Sequence, residues 1–184
     1  MEKSPRITVY GSSRLSEDEP AYRLAHDLGA ALARGGATVI TGGYGGAMEA
    51  VSRGAAEAGG HVVGVTVDLF EARGPLNRWV KERVHAPDLF DRLRHLVATT
   101  DAHVVLEGSL GTLTELFLTW TLASVGALAA ESLVLLGERW PLYLEAHGEL
   151  VPRELFRHVR VARTPSEAAT WAIAAARSRP QVAR

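Results

Sequence analysis

The sequence has no cysteine and only two lysines, Lys3 and Lys81, among its 184 residues. Without cysteine, disulfide bonds, thiolate catalysis and cysteine-ligated metal sites are excluded. The scarcity of lysine limits any reaction through a lysine Schiff base to these two side chains. The first residues, Met1 to Arg6, contain no apolar signal-peptide core. We therefore expect a cytoplasmic protein.

An excess of either charge is also lacking, since 20 basic and 21 acidic residues give a net charge of −1 and a pI near 6.7. This balance gives no reason to expect nucleic acid or an anionic membrane as a partner. The seven histidines form no i, i+3 or i, i+4 pair, and no serine lies in a G-x-S-x-G turn. We predict no metal site, no resident cofactor and no serine-hydrolase chemistry.

Short apolar strands alternate with helical patterns along the whole chain. The predicted strands are residues 6–10, 37–41, 61–67, 80–85, 102–106, 131–136 and 159–162. The predicted helices are residues 16–34, 47–58, 88–99, 112–126, 141–150 and 164–177. Residues 68–79 are irregular and are predicted to form a loop or lid. This alternation indicates a doubly wound α/β fold, in which helices cover both faces of a parallel sheet. We expect one domain over residues 1–184, with a loose tail after about residue 178.

Three predicted strands end in turns of small residues. The residues that we expect to bind a phosphate or other substrate group in these turns are Gly11, Ser12, Ser13, Gly42, Gly43, Gly45, Gly108, Ser109, Gly111 and Thr112. Ligands of such sheets bind past the carboxyl ends of the strands, where backbone N–H groups and helix N-termini attract anions. None of the turns matches GxGxxG with its acidic partner or the Walker lysine pattern. A nicotinamide cofactor or ATP is therefore not favoured.

Two charged residues near these turns are candidates for chemistry. Glu115 lies three residues after Thr112, which places a carboxylate beside the predicted phosphate turn. The same spacing also fits a capping box, in which both side chains only satisfy backbone N–H groups, and the two interpretations have equal weight. Arg92 could clamp a phosphate or orient a carboxylate, but an ordinary surface arginine is the commoner case. Spacing alone does not separate Arg92 from Arg94 and His95.

Four segments resemble a known family. They are Val9 to Ser13 (VYGSS), Gly42 to Val51 (GGYGGAMEAV), Gly60 to Gly64 (GHVVG) and Glu107 to Glu115 (EGSLGTLTE). Over roughly residues 7–128 the chain is similar to the "possible lysine decarboxylase" family, now better known by its cytokinin-activating LOG members. The last segment aligns with the family signature P-G-G-x-G-T-x-x-E. The family's arginine aligns with Arg92, and the aspartate that opens the next strand aligns with Asp101.

The resemblance implies a Rossmann-like fold and a nucleoside 5′-monophosphate phosphoribohydrolase. Such an enzyme cleaves the N-glycosidic bond of a purine nucleotide, including N6-modified ones, to free base and ribose 5-phosphate. It implies catalytic roles for Arg92 and Glu115, with no cofactor. It also implies a homodimer, as does the predicted helix after Thr112, which is apolar nearly all round. A decarboxylase using pyridoxal phosphate is disfavoured by the shortage of lysine.

Three residues depart from the family pattern: Glu107 replaces the signature proline, Ser109 its second glycine, and Leu93 the lysine that usually follows the arginine. A carboxylate at Glu107 is expected to repel a bound phosphate. Residues 45–55 also resemble the related molybdenum-cofactor carriers, which bind without hydrolysis. A carrier for a phosphorylated cofactor is therefore the alternative function.

Overall fold

A seven-stranded parallel sheet forms the centre of the computed structural model, which describes residues 4–129 and 131–178 except for the side chains of Glu71 and Arg73. The strands are β1 (Arg6–Tyr10), β2 (Thr38–Thr41), β3 (Val62–Val67), β4 (Glu82–Ala86), β5 (Ala102–Leu106), β6 (Leu133–Leu136) and β7 (Val159–Ala162). Their order in the sheet is β4-β3-β2-β1-β5-β6-β7, and every neighbouring pair is parallel.

Helices cover both faces of this sheet. They are α1 (Pro20–Arg34), α2 (Ala47–Glu57), α3 (Leu89–Ala98), α4 (Leu110–Ser124), α5 (Trp140–Ala146) and α6 (Pro165–Ser178). One hydrophobic core lies between the sheet and α1, α2 and α6, and a second lies between the opposite face and α3, α4 and α5. Successive strand residues alternate between the two cores, as β-strand geometry requires. The predicted doubly wound, single-domain fold is confirmed.

The strand order places a topological switch between β1 and β5. The chain builds outward from β1 to β4 and then returns to the other side of β1. The connections after β1 and β5 therefore run toward opposite sides of the sheet and leave a crevice between them. Ligands bind in this crevice in open α/β sheets. The Ser12 N–H donates to the Glu107 carbonyl across this crevice at 3.4 Å.

The predicted helix starts differ from the structure in two places. The helix expected from Ser16 begins at Pro20, because the Glu19 carboxylate accepts the Ser16 N–H in a turn that precedes the helix. The helix expected from Thr112 begins two residues earlier, at Leu110, with Ser109 at its N-cap. By contrast, the start at Thr164 is confirmed, since the Thr164 hydroxyl accepts the Glu167 N–H at 3.2 Å.

The irregular segment after β3 packs against the second glycine turn. It begins with a 3-10 helix, Asp68–Arg73. Further along, Asn77 donates its backbone N–H to the Gly43 carbonyl at 2.8 Å and its side-chain amide to the Tyr44 carbonyl at 3.1 Å. The segment is thus attached to the turn that follows β2.

Within residues 4–129 and 131–178, no helix is both long enough and apolar enough to cross a bilayer. The predicted loose tail after residue 178 lies outside the described residues.

Candidate active site

Arg92 is a buried residue at the sheet's carboxyl edge. It lies on α3, and its side chain is only 6% exposed. Its Nε donates to the Val65 carbonyl of β3 at 2.9 Å, and its Nη2 approaches the Gly42 carbonyl at 3.5 Å. The surface-arginine interpretation is therefore wrong. Arg94 is the exposed residue, paired with Asp91 at 2.6 Å on the outer side of the helix.

Glu115 lies on α4 with its carboxylate turned toward Arg92. The distance from Glu115 Oε1 to Arg92 Nη1 is 3.6 Å, and the glutamate side chain is 13% exposed. The capping-box interpretation is wrong, because α4 begins at Leu110 and both Thr112 and Glu115 lie inside the helix. The carboxylate is thus held in a charge pair.

Burial changes the acidity of this carboxylate. It raises the pKa of Glu115 from its ordinary value of 4.5 to about 7, although the positive charge of Arg92 acts in the opposite direction. The cost of removing a carboxylate from water therefore exceeds the attraction of the guanidinium at this distance. A carboxyl group with a pKa near neutrality can exchange protons at physiological pH, as general acid–base catalysis requires.

The turn after β2 is shaped around Arg92 and the β1 turn. A Cβ at Gly42 would overlap Arg92 Nη2 and lie 2.6 Å from Met48 Sδ, so only glycine leaves room for the guanidinium. Gly46 has a φ of +68°, and a Cβ there would lie 2.5 Å from the Ser12 carbonyl oxygen. Gly43 has a φ of +80°, which also favours glycine, whereas Gly45 borders open space.

The turn after β1 packs tightly against the start of α2. A Cβ at Gly11 would lie 2.7 Å from the Cβ of Ala47, and the Ala47 N–H donates to the Ser12 carbonyl at 2.8 Å. The Ser12 hydroxyl accepts the Arg14 N–H at 3.1 Å, and Ser13 is exposed. The first two predicted binding turns are therefore in direct contact with each other.

The turn after β5 is the most open of the three. Gly108, Ser109 and Gly111 are exposed, and the Ser109 side chain makes no capping hydrogen bond. Thr112 is buried, and a Cβ at Gly108 would overlap its hydroxyl. The first N–H groups of a helix have no partner within the helix, so this exposed terminus offers donors to an anion.

Glu107 is turned away toward β6. Its Oε1 accepts the Arg139 N–H at 2.8 Å, and its Oε2 lies 3.6 Å from the Arg139 Nε. Gly137 leaves space for it, since a Cβ there would lie 2.6 Å from the Glu107 Cγ. The predicted repulsion of a phosphate by Glu107 is accordingly weakened, because Arg139 balances its charge.

Phe70 also lies at this site, and no sequence pattern indicates that it does. This residue of the 3-10 helix places its ring 5.2 Å from the Arg92 Cζ and edge-on to Tyr44. The Tyr44 hydroxyl bonds to the backbone of Val67, so Tyr44 has a packing role.

Asp101 lies far from the site, at the amino end of β5, where its carboxylate accepts the Arg6 N–H at 2.9 Å.

Neither of two cavities of the described structure is lined by Arg92 or Glu115. One, of about 460 Å³, lies between Tyr44, Thr66 and the segment 72–76. The other, of about 690 Å³, lies beside Glu107 and Arg139, over the ends of β6 and β7. In the part of the chain that the structure describes, no three His, Asp or Glu side chains form a group that could hold a metal ion.

The doubly wound sheet, with a buried arginine–glutamate pair beside three glycine turns, defines a Rossmann-like protein of the LOG type. More specifically, the chain belongs to the SLOG cluster4 family, whose sequence model matches residues 4–136. A Mycobacterium tuberculosis protein named cytokinin riboside 5′-monophosphate phosphoribohydrolase is 36% identical over 116 residues, which is 62% of each chain. The match therefore spans less than two thirds of that relative's length.

Solved structures share the fold. The molybdenum cofactor binding protein of Rippkaea orientalis has a TM-score of 0.70 at 24% identity, covering 91% of this chain and 94% of its own. The molybdenum cofactor carrier protein of Chlamydomonas reinhardtii has a TM-score of 0.68 at 25% identity, covering 91% and 95%. This chain is thus similar in sequence to a protein named as a phosphoribohydrolase, and in structure to proteins named as a molybdenum cofactor binding protein and a molybdenum cofactor carrier protein.

Proposed function

We propose that this protein hydrolyses the N-glycosidic bond of a purine nucleoside 5′-monophosphate, with or without an N6 substituent, to free base and ribose 5-phosphate. The observation that carries the proposal is the buried pair of Arg92 and Glu115, 3.6 Å apart, with the pKa of Glu115 at about 7. A carrier has no need for a carboxylate with this acidity beside its ligand. The similarity to a named phosphoribohydrolase supports the same reaction.

Each part of the site has a role in this reaction. The phosphate binds at the exposed turn 108–111 and the start of α4. Ionised Glu115 stabilises the positive charge that develops on the ribose as the bond to the base breaks, or takes a proton from the attacking water. Water supplies the hydroxyl group at the anomeric carbon, and the base leaves with a proton. Arg92 orients Glu115 and the sugar phosphate, while the β1 and β2 turns enclose the ribose.

The alternative is a carrier that binds a phosphorylated cofactor such as the molybdenum cofactor. The structural neighbour named as a molybdenum cofactor carrier favours it. A pyridoxal-phosphate decarboxylase is not proposed. Lys81 is exposed and lies at the amino edge of the sheet, where its N–H donates to the Val62 carbonyl, opposite the glycine turns.

Chromatography of reaction products separates the two functions. The purified protein is incubated with AMP and with N6-prenylated AMP, and free base is measured. We expect base release from at least one of them, and its loss in the Glu115→Ala variant. Absence of release across a wider nucleotide panel, with molybdenum found in the purified protein by elemental analysis, would favour the carrier.

We further propose that the protein is a homodimer and that it is located in the cytoplasm. Leu110 and Val125, at the two ends of α4, are 80% and 71% exposed, and Phe117 and Leu118 between them are half-buried. An apolar outer face on a core helix fits burial against a second copy. Light scattering should give the mass of two chains, and the mass of one chain would contradict the dimer.

A further inference from the structure

The hydroxyl of Tyr10 contacts both helices that carry the charge pair. Tyr10 is the last residue of β1, and the residue is 2% exposed. The hydroxyl oxygen lies 3.3 Å from the Leu96 carbonyl oxygen of α3 and 3.2 Å from the Thr119 Oγ1 of α4. A single side chain of the sheet therefore links α3 to α4.

The two contacts lie one helical turn from the pair. Leu96 follows Arg92 by four residues, and Thr119 follows Glu115 by four residues. Residues four apart are stacked on the same side of a helix, about 5–6 Å from each other. The distance between α3 and α4 at the level of Tyr10 thus determines how closely the guanidinium and the carboxylate approach.

The available protons fix the direction of these hydrogen bonds. Thr119 donates its one hydroxyl proton to the Glu115 carbonyl at 2.7 Å, so its oxygen accepts from Tyr10. Burial raises the pKa of Tyr10 well above its ordinary value of 10.0, which keeps the phenol protonated. Its proton is therefore available to both the Leu96 carbonyl and the Thr119 hydroxyl.

Other contacts hold the Tyr10 ring independently of its hydroxyl. The ring stacks on His103 of β5, with centroids 5.9 Å apart and planes at 14°. Thr8, on the same face of β1, donates to the Leu96 carbonyl at 2.8 Å. Removing only the hydroxyl is thus expected to leave the ring and the sheet in place. Both Tyr10 bonds are long for hydroxyl groups, so their removal is expected to cost little overall stability.

We propose that Tyr10 is a positioning residue for the Arg92–Glu115 pair, because its hydroxyl fixes α4 against α3 one turn from the two charged side chains. The inference rests on the proposed hydrolase function, in which these side chains act on the substrate. Tyr10 itself does not touch the substrate.

The test compares Tyr10→Phe with Tyr22→Phe, which removes a hydroxyl from another buried tyrosine, located on α1 near Arg53. We expect Tyr10→Phe to lower kcat about tenfold with KM nearly unchanged, since small displacements of reacting groups reduce rates strongly. Tyr22→Phe should retain the wild-type kcat. Thr119→Val should reproduce the loss, and Thr119→Ser, which keeps the hydroxyl, should restore activity.

A second readout needs no substrate. The carboxyl titration of Glu115, followed by NMR, should shift to higher pH in Tyr10→Phe, because a displaced Arg92 lowers the pKa of Glu115 less. An unchanged Glu115 titration together with an unchanged kcat in Tyr10→Phe would overturn the inference about Tyr10. The proposed hydrolase function would not be affected by that result. If the wild type releases no base, the hydrolase proposal fails, and the titration alone decides the positioning role. If Tyr10→Phe does not fold, the Thr119→Val and Thr119→Ser pair decides it in the same way.

Discussion

Two arginine–glutamate pairs, each with its glutamate in the region that follows β5, have the same separation. Arg92 Nη1 lies 3.6 Å from Glu115 Oε1, and Arg139 Nε lies 3.6 Å from Glu107 Oε2. Their surroundings differ. The side chains of the first pair are 6% and 13% exposed, whereas those of the second are 87% and 34% exposed. Distance alone would give the two pairs the same chemistry.

The difference shows that burial determines what an ion pair can do. Water screens the pair at Glu107, and exposed pairs of this kind contribute about 0–1 kcal/mol to stability. At Glu115 the loss of hydration is the larger influence and raises the pKa to about 7 despite the adjacent arginine. We therefore assign catalysis to the buried pair and loop attachment to the exposed one, and each assignment can be tested with matched variants.

The largest expected effect is on the rate of base release in Glu115→Gln. This change keeps the shape of the side chain but removes its charge and its proton exchange, so we expect kcat/KM to fall by about 10²-fold to 10⁴-fold. Glu107→Gln is the matched control and should stay within about threefold of the wild type. Product chromatography measures both. Equal losses in the two variants would show that burial does not distinguish the pairs.

The second effect is on stability as a function of pH. The pKa of Glu115 is about 7 in the folded chain against an ordinary value of 4.5, so the folded state retains a proton that the unfolded chain has lost between these values. Stability should therefore fall as the pH rises from about 4.5 to 7, by about 3 kcal/mol for this one group.

Glu115→Gln mimics the protonated carboxyl and should abolish this component. Thermal unfolding at pH 5 and pH 8 should show a smaller loss of stability for Glu115→Gln than for the wild type, while Glu107→Gln behaves like the wild type. A wild-type loss that Glu115→Gln leaves unchanged would mean that another group is responsible.

The third effect concerns the space for Arg92. Gly42→Ala places a methyl group on the Arg92 guanidinium and should displace it, lowering kcat/KM about tenfold or more. The melting temperature should fall by only a few degrees, because the overlapping atoms are the ends of flexible side chains. Gly35→Ala, at the end of α1, is the control, since its Cβ would overlap the end of the Ile173 side chain at the opposite edge of the sheet. Full activity in Gly42→Ala would remove Arg92 from the mechanism.

The strands were predictable to within about two residues because buried parallel strands are continuous apolar runs. The residues at which helices begin were less predictable from the sequence. The spacing of Thr112 and Glu115 matches a capping box, yet the helix begins at Leu110, because the chain turns into α4 directly after the Gly108–Ser109 step. Two residues of the right type at the right spacing therefore do not establish where the helix begins.

The site was predictable only in part. The glycine turns follow from the alternation of strands and helices, but the importance of Arg92 over Arg94 came from the family resemblance. Spacing along α3 does not reveal which arginine meets the Val65 and Gly42 carbonyls, since that depends on how the helix packs on β2 and β3. Phe70 lies in an irregular segment, where no periodicity indicates what a side chain contacts.

The smallest expected effect tests the exposed pair directly. Arg139→Ala removes the guanidinium from Glu107 but retains the Arg139 N–H that donates to the Glu107 carboxylate at 2.8 Å. The backbone bond should keep Glu107 turned toward β6, so kcat/KM should change less than twofold and the stability by less than about 1 kcal/mol. Activity and thermal melts at low and high salt measure both quantities, with Arg153→Ala as an exposed control. If KM for the nucleotide rises severalfold in Arg139→Ala alone, Glu107 does act on the bound phosphate and Arg139 is needed to balance its charge.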